Sequence, residues 1–149
     1  MILNVILGFV IPWIVCMFHI FKRDTKLVVT IGPFSSVIAF TVTEIGEYFG
    51  FWRVFPFDKS IVSPLPFILG IYSIIGGYSI YFLRKYKRPY LVIFLITLFA
   101  TISEGIWSLL GMVVYGNGWN IGWTFLSYLF PLTLVYLYYL FLKRLKILD

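Results

Sequence analysis

Five runs of about twenty apolar residues, each broken from the next by charge, proline or glycine, constrain this chain more than any other feature. They cover roughly Ile2–Phe21, Leu27–Gly50, Ile61–Leu83, Tyr90–Tyr115 and Trp119–Leu142. A bilayer's hydrocarbon core is about 30 Å thick, and a helix crosses it in about 20 residues. The breaks suit that reading: Lys22–Lys26 ends the first run, and Arg53, Pro56, Asp58 and Lys59 follow the second. Arg84–Arg88 with Pro89 follows the third, and Gly116-Asn117-Gly118 turns the chain between the last two.

Composition excludes the alternatives. Of 149 residues, 61% are hydrophobic and only 12% charged, against about 25% charged in a soluble domain. A water-soluble globule and a disordered chain both need more polar surface. Barrel strands alternate apolar and polar residues, whereas Leu91–Ile96 is apolar throughout. The expected fold is all-α: residues 1–149 as a single transmembrane domain, a five-helix bundle. The N-terminus lacks the basic region of a signal peptide, so the first run is expected to remain a span.

Orientation follows from the cations. Ten of the Lys and Arg residues fall on one side, in Lys22–Lys26, Arg84–Arg88 and Lys143–Lys146, and two, Arg53 and Lys59, on the other. Basic loops face the cytoplasm, which puts the N-terminus outside and the C-terminus inside. The net charge of +6 therefore reads as a topology signal, with no nucleic-acid partner.

Spans two and three resemble spans four and five. Thr41-Val42-Thr43-Glu44 matches Thr101-Ile102-Ser103-Glu104 at a spacing of 60, and Phe82–Lys87 matches Phe141–Lys146 at 59. Both hairpins start on the basic side, so the copies would be parallel repeats about an axis along the membrane normal.

Three carboxylates lie inside predicted spans: Glu44, Glu47 and Glu104. Intramembrane acids are costly and usually face a protein interior or a watery cavity. Thr97, Thr101, Glu104, Ser108 and Gly111 form one helical stripe, and Thr41, Glu44, Glu47 and Tyr48 another. If the stripes meet, Glu44 and Glu104 face each other and need protons or a cation between them. Trp107, Tyr48 and Trp52 would offer ring faces to an organic cation, and Arg53 is the ion-pair candidate for Glu47. The alternative is a structural role, with protonated carboxyls hydrogen-bonded between helices. Gly46-x-x-x-Gly50 and the Gly70, Ser73, Gly77 face read as helix-packing surfaces.

Other signals are weak. Cys16 and His19 share a face but lack further ligands, so no metal and no cofactor is expected. Pro12, Pro33 and Pro131 read as packing kinks. The segment Phe51–Asp58 rests at the interface or caps a cavity above the glutamates.

Gly50-Phe51-Trp52, Leu65-Pro66, Glu104-Gly105 and Tyr115–Asn120, in this order, resemble a family of small uncharacterised multipass membrane proteins of spore-forming Gram-positive bacteria. The resemblance covers nearly the whole chain and implies a bacterial cytoplasmic membrane. It brings no activity with it. The residues themselves give three readings. The first is a cation or proton site in a small transporter or channel-like component. The second is a non-catalytic accessory protein packing against a membrane-protein partner or a second copy. The last is a lipid-modifying enzyme, disfavoured because no nucleophile accompanies the acids.

Overall fold

The computed structural model describes residues 1–59 and 62–148; Ile61, the expected start of the third span, lies outside them. The described residues are 77% helical. Among the described residues, five helices are long and apolar enough to cross a membrane: α1 (Ile2–Phe21), α2 (Thr25–Tyr48), α3 (Leu65–Tyr86), α4 (Pro89–Leu109) and α5 (Ile121–Arg144). Two short strands, β1 (Trp52–Val54) and β2 (Val113–Tyr115), pair antiparallel at one end, with Trp52 opposite Tyr115 and Val54 opposite Val113. The clustered cations mark the other end.

Local chemistry sets the helix boundaries. Asp24 caps α2 by accepting the Leu27 N–H at 2.9 Å, and its second oxygen pairs with Arg84 of α3 at 2.6 Å. Asn120 caps α5 by accepting from Gly122 and Trp123, and Pro89 opens α4, where no intrahelical N–H is needed. The α4 helix ends at Leu109, short of the expected Tyr115, because Gly111 turns left-handed at φ +72° and the chain continues as β2. Gly50, at φ +66°, ends α2 in the same way.

Those two helix ends are built from matching hydrogen bonds. Gly50 N–H donates to Glu47 and Phe51 N–H to Gly46; Gly111 N–H donates to Ser108 and Met112 N–H to Trp107. Across the strands, Phe55 N–H donates to the Met112 carbonyl and Gly116 N–H to the Phe51 carbonyl, each at 2.9 Å. Every bond has its counterpart 61 residues along the chain.

α2 packs against α3 and α5, and α4 against the same two, so that α2 and α4 stand diagonally across the bundle. Small residues bring α2 and α3 together. The Ser35 hydroxyl donates to the Tyr72 carbonyl and the Ser36 hydroxyl to Ile68, while a Cβ at Gly32 or Gly76 would sit 2.8 Å from Ser73 Oγ or 2.3 Å from Ser35 Oγ. Leu27, Ile31, Ile80, Val135 and Tyr139 fill the interior toward the basic end. α1 lies outside this group, parallel to α3. Gly8 and Gly70, both in π turns, let the backbones touch, and Trp13 Nε1 donates to the Leu69 carbonyl at 3.0 Å.

The helix-packing expectations therefore divide. Gly70 and Ser73 are close-approach positions. Nothing comes within 4 Å of a Cβ built at Gly77, so no neighbour there requires glycine. Gly46 and Gly50 are not a helix–helix seam. A Cβ at Gly46 would fall 2.0 Å from the Trp52 indole, and Gly50 serves the turn. Gly46 is small because a ring from β1 lies on it.

Because Asp24 both caps α2 and ties it to α3, Asp24→Ala is expected to destabilise the bundle by about 1–2 kcal/mol. The check is the temperature at which Cys16, the single cysteine and 1% exposed, becomes reactive to a fluorogenic maleimide; it should fall by a few degrees.

Candidate functional site

Two adjoining cavities lie between the four packed helices at the strand end, with volumes of about 110 and 70 Å³. Thr43, Trp52, Tyr72, Ile75, Glu104 and Tyr128 line both. The larger also touches Asn4 of α1 and Trp107, and its wall includes Val54, Phe55 and Val113 around the paired strands. Trp52, Val54 and Phe55 of the segment after α2 thus line the cavity, which holds Glu104 but not the second glutamate expected there.

Glu104 is the acid of this space. Its Oε2 accepts from the Tyr128 hydroxyl at 2.6 Å, and its Oε1 from Tyr115 at 2.9 Å and, more weakly, Thr124 at 3.4 Å. Behind these stands a second layer. Tyr72 lies 3.1 Å from the Tyr128 oxygen, so with the Tyr128 proton directed at Glu104 the Tyr72 hydroxyl is the donor of that pair. Trp119 Nε1 donates to Thr124 Oγ1 at 2.9 Å, and the single Thr124 hydroxyl proton is shared between Glu104 and the Tyr115 oxygen, which lies closer at 3.1 Å. Each donor chain ends on the carboxylate. Three hydroxyls converging on one carboxyl fix the side chain in one orientation, and such bonds strengthen when the carboxyl is ionised. Burial, opposed by the bond from Thr124 and assisted by the Glu104 charge, pushes the Tyr115 phenol up to about 12. That donor is therefore protonated throughout the neutral range.

No Lys, Arg or His lines either cavity among the described residues. Glu104 has hydroxyl donors but no internal counter-charge in the space it faces.

Glu44 does not share this site. It is absent from both linings, and one of its carboxylate oxygens is buried without a hydrogen-bond partner. α2 and α4 lie across the bundle from each other, and Thr43 is the α2 residue facing the cavity. At the spacing of 61 set by the helix-end bonds, Thr43 is also the residue that matches Glu104. One residue of register turns a helical side chain by about 100°, which carries Glu44 off the cavity face. The expected meeting of Glu44 and Glu104 is thereby corrected.

The remaining candidates also separate. Trp107 lines the larger cavity, edge-on to Phe67. Tyr48 is 84% exposed, and Thr41 is exposed with its hydroxyl turned back to the Val37 carbonyl, so neither serves the site. Thr101 is buried but donates to the Thr97 carbonyl beside the cavity, and Ser108 and Glu47 are half-buried outside its lining. Arg53 is exposed on β1 opposite Val114. On α4 the face toward the cavity runs through Ala100, Ser103, Glu104 and Trp107, one flank over from the polar stripe in the sequence. At the other end His19 Nδ1 lies 3.1 Å from the Tyr78 hydroxyl with the rings stacked, and Cys16 is core.

Sequence reasoning missed Thr43, Tyr72, Tyr115, Thr124 and Tyr128. A signal existed on α5, where Thr124, Tyr128, Leu132, Val135 and Tyr139 recur at helical spacing on one face. Comparison of the chain with protein-family models, with curated proteins and with solved structures finds no match in any of the three.

Proposed function

We propose that this is an integral membrane protein that takes up a proton or small cation at Glu104, as a small transporter or channel-like component. The observation that carries the reading is a carboxylate inside a bundle of apolar helices, fixed by Tyr115, Thr124 and Tyr128, in a space lined by no cationic side chain. A carboxylate away from bulk water needs a proton or a counter-ion. Trp52 and Trp107 supply ring faces suited to an organic ammonium. The cavities have room for several water molecules.

The orientation proposed is N-terminus outside and C-terminus cytoplasmic, because ten of twelve cations cluster at one end. Glu104 then lies in the outer half of the membrane under the paired strands. The resemblance described above would place the chain in a bacterial cytoplasmic membrane. The matching bonds 61 residues apart support α2-β1-α3 and β2-flanked α4-α5 as parallel repeats about an axis along the membrane normal, passing between Arg53 and Val114. On that reading the site is asymmetric, with an acid in one repeat and Thr43 in the other.

The test uses full-length protein in nanodiscs, titrated with tetramethylammonium and followed by tryptophan fluorescence. A saturable change, weakened by competing protons, is expected. Absence of any saturable response to tetramethylammonium, together with absence of a pH response that Glu104→Gln removes, would overturn the proposal.

A further inference from the structure

At the basic end a second recess, of about 420 Å³, opens between α3, α4 and α5. Leu83, Tyr136, Tyr139 and Leu140 form its apolar floor, and Arg84, Lys87 and Lys143 stand around it with Pro89. Three cations around one recess repel one another unless an anion joins them. Asp24 is the acidic side chain described at this end, and it is already held by Arg84 at 2.6 Å.

The other hairpin displays what such a cation does here. Arg84 on α3 bonds a carboxylate that also caps the start of α2. In the matched basic segments Phe82–Lys87 and Phe141–Lys146, the residue on α5 that corresponds to Arg84 is Lys143. Lys143 faces the start of α4, where the residue in the capping position is Arg88 and no side chain caps the helix. Lys87 reaches the recess from a left-handed turn at φ 55° that ends α3. The anion that balances Lys87 and Lys143 is thus missing from the described chain, and the recess combines charge at its rim with an apolar floor.

We propose that this recess binds a phosphate-bearing lipid headgroup, with Lys87 and Lys143 on the phosphate, Tyr136 and Tyr139 beneath it and the acyl chains along the apolar helix surface. Basic pockets between helices on the cytoplasmic side are a known means of holding anionic lipid headgroups. The inference is independent of Glu104, which lies toward the opposite end of α4.

The experiment measures how short-chain phosphatidylglycerol raises the temperature at which Cys16 of the full-length protein in neutral detergent becomes reactive. Arg84 is kept, because it holds Asp24. The Lys87→Gln/Lys143→Gln double variant is expected to bind the lipid about thirtyfold more weakly. A Lys22→Gln/Lys26→Gln control, with the same charge removed from elsewhere at the basic end, should bind within about twofold of the parent. Equal weakening in both variants would mean diffuse attraction and overturn the site. An equal response to inorganic phosphate would assign the recess to free phosphate and overturn the lipid. No response of the parent to either would overturn both. If the double variant proves unstable, retention of phosphatidylglycerol by the parent and control, read by native mass spectrometry, decides between a bound lipid and none.

Discussion

Glu104→Gln is expected to weaken tetramethylammonium binding about thirtyfold or more while leaving the bundle folded. The size follows from removing one member of a partly buried charge pair, which costs about 2–5 kcal/mol of affinity. The fold should persist because glutamine keeps the shape and one carbonyl oxygen, which still accepts from Tyr115 or Tyr128. The amide nitrogen then meets a phenol oxygen, which rotates its hydrogen and accepts instead. The expected loss of stability is about 1 kcal/mol, the usual scale for one hydrogen bond exchanged. Affinity and folding are therefore read separately, by fluorescence titration and by Cys16 reactivity. Glu44→Gln is the matched control: it removes an equal charge from a residue outside both cavities, and binding should stay within about twofold of the parent.

The second large effect concerns α1. Gly70→Ala places a methyl group 2.0 Å from the Gly8 carbonyl oxygen and 2.6 Å from Phe9 Cα. Those atoms are backbone, so relief comes only from displacing α1. Such overpacking costs about 1–3 kcal/mol, and the displacement also loosens the Trp13 bond to Leu69 and the Asn4 bonds to the Phe55 and Ser63 carbonyls. Gly77→Ala adds the same methyl group to the same helix where nothing lies within 4 Å. Alanine is a better helix former than glycine by about 1 kcal/mol, so Gly77→Ala should be neutral or stabilising. The Cys16 midpoint is expected to drop by about 5–10 °C in Gly70→Ala and to hold or rise in Gly77→Ala. Asn4 lines the larger cavity, so Gly70→Ala should weaken tetramethylammonium binding as well.

The sequence alone was enough to find the five long helices, because their apolar length and basic breaks follow directly from bilayer thickness. Glu104 and Trp107 were also legible, since a carboxylate within an apolar helix is costly wherever it is. Its partners were not. Tyr115, Thr124 and Tyr128 are ordinary residues in a chain with eleven tyrosines, and which of them reach one carboxylate depends on how α4 and α5 pack together. The Thr41–Glu44 match pointed to the wrong acid for a related reason. Sequence similarity favours a spacing of 60, while the bonds that end α2 and α4 run at 61, and a helix face is decided by that single residue. Gly46 shows a further limit: periodicity marks where a close approach occurs, yet cannot say whether a helix or the Trp52 indole makes it.

Infrared difference spectroscopy reads directly whether the Glu104 side chain meets the proton or cation in the cavity. Spectra of reconstituted parent and Glu104→Gln protein, each recorded with and without tetramethylammonium, should differ by a carboxyl band that responds to the cation in the parent and is missing from the variant. Identical difference spectra from the two proteins would contradict the account.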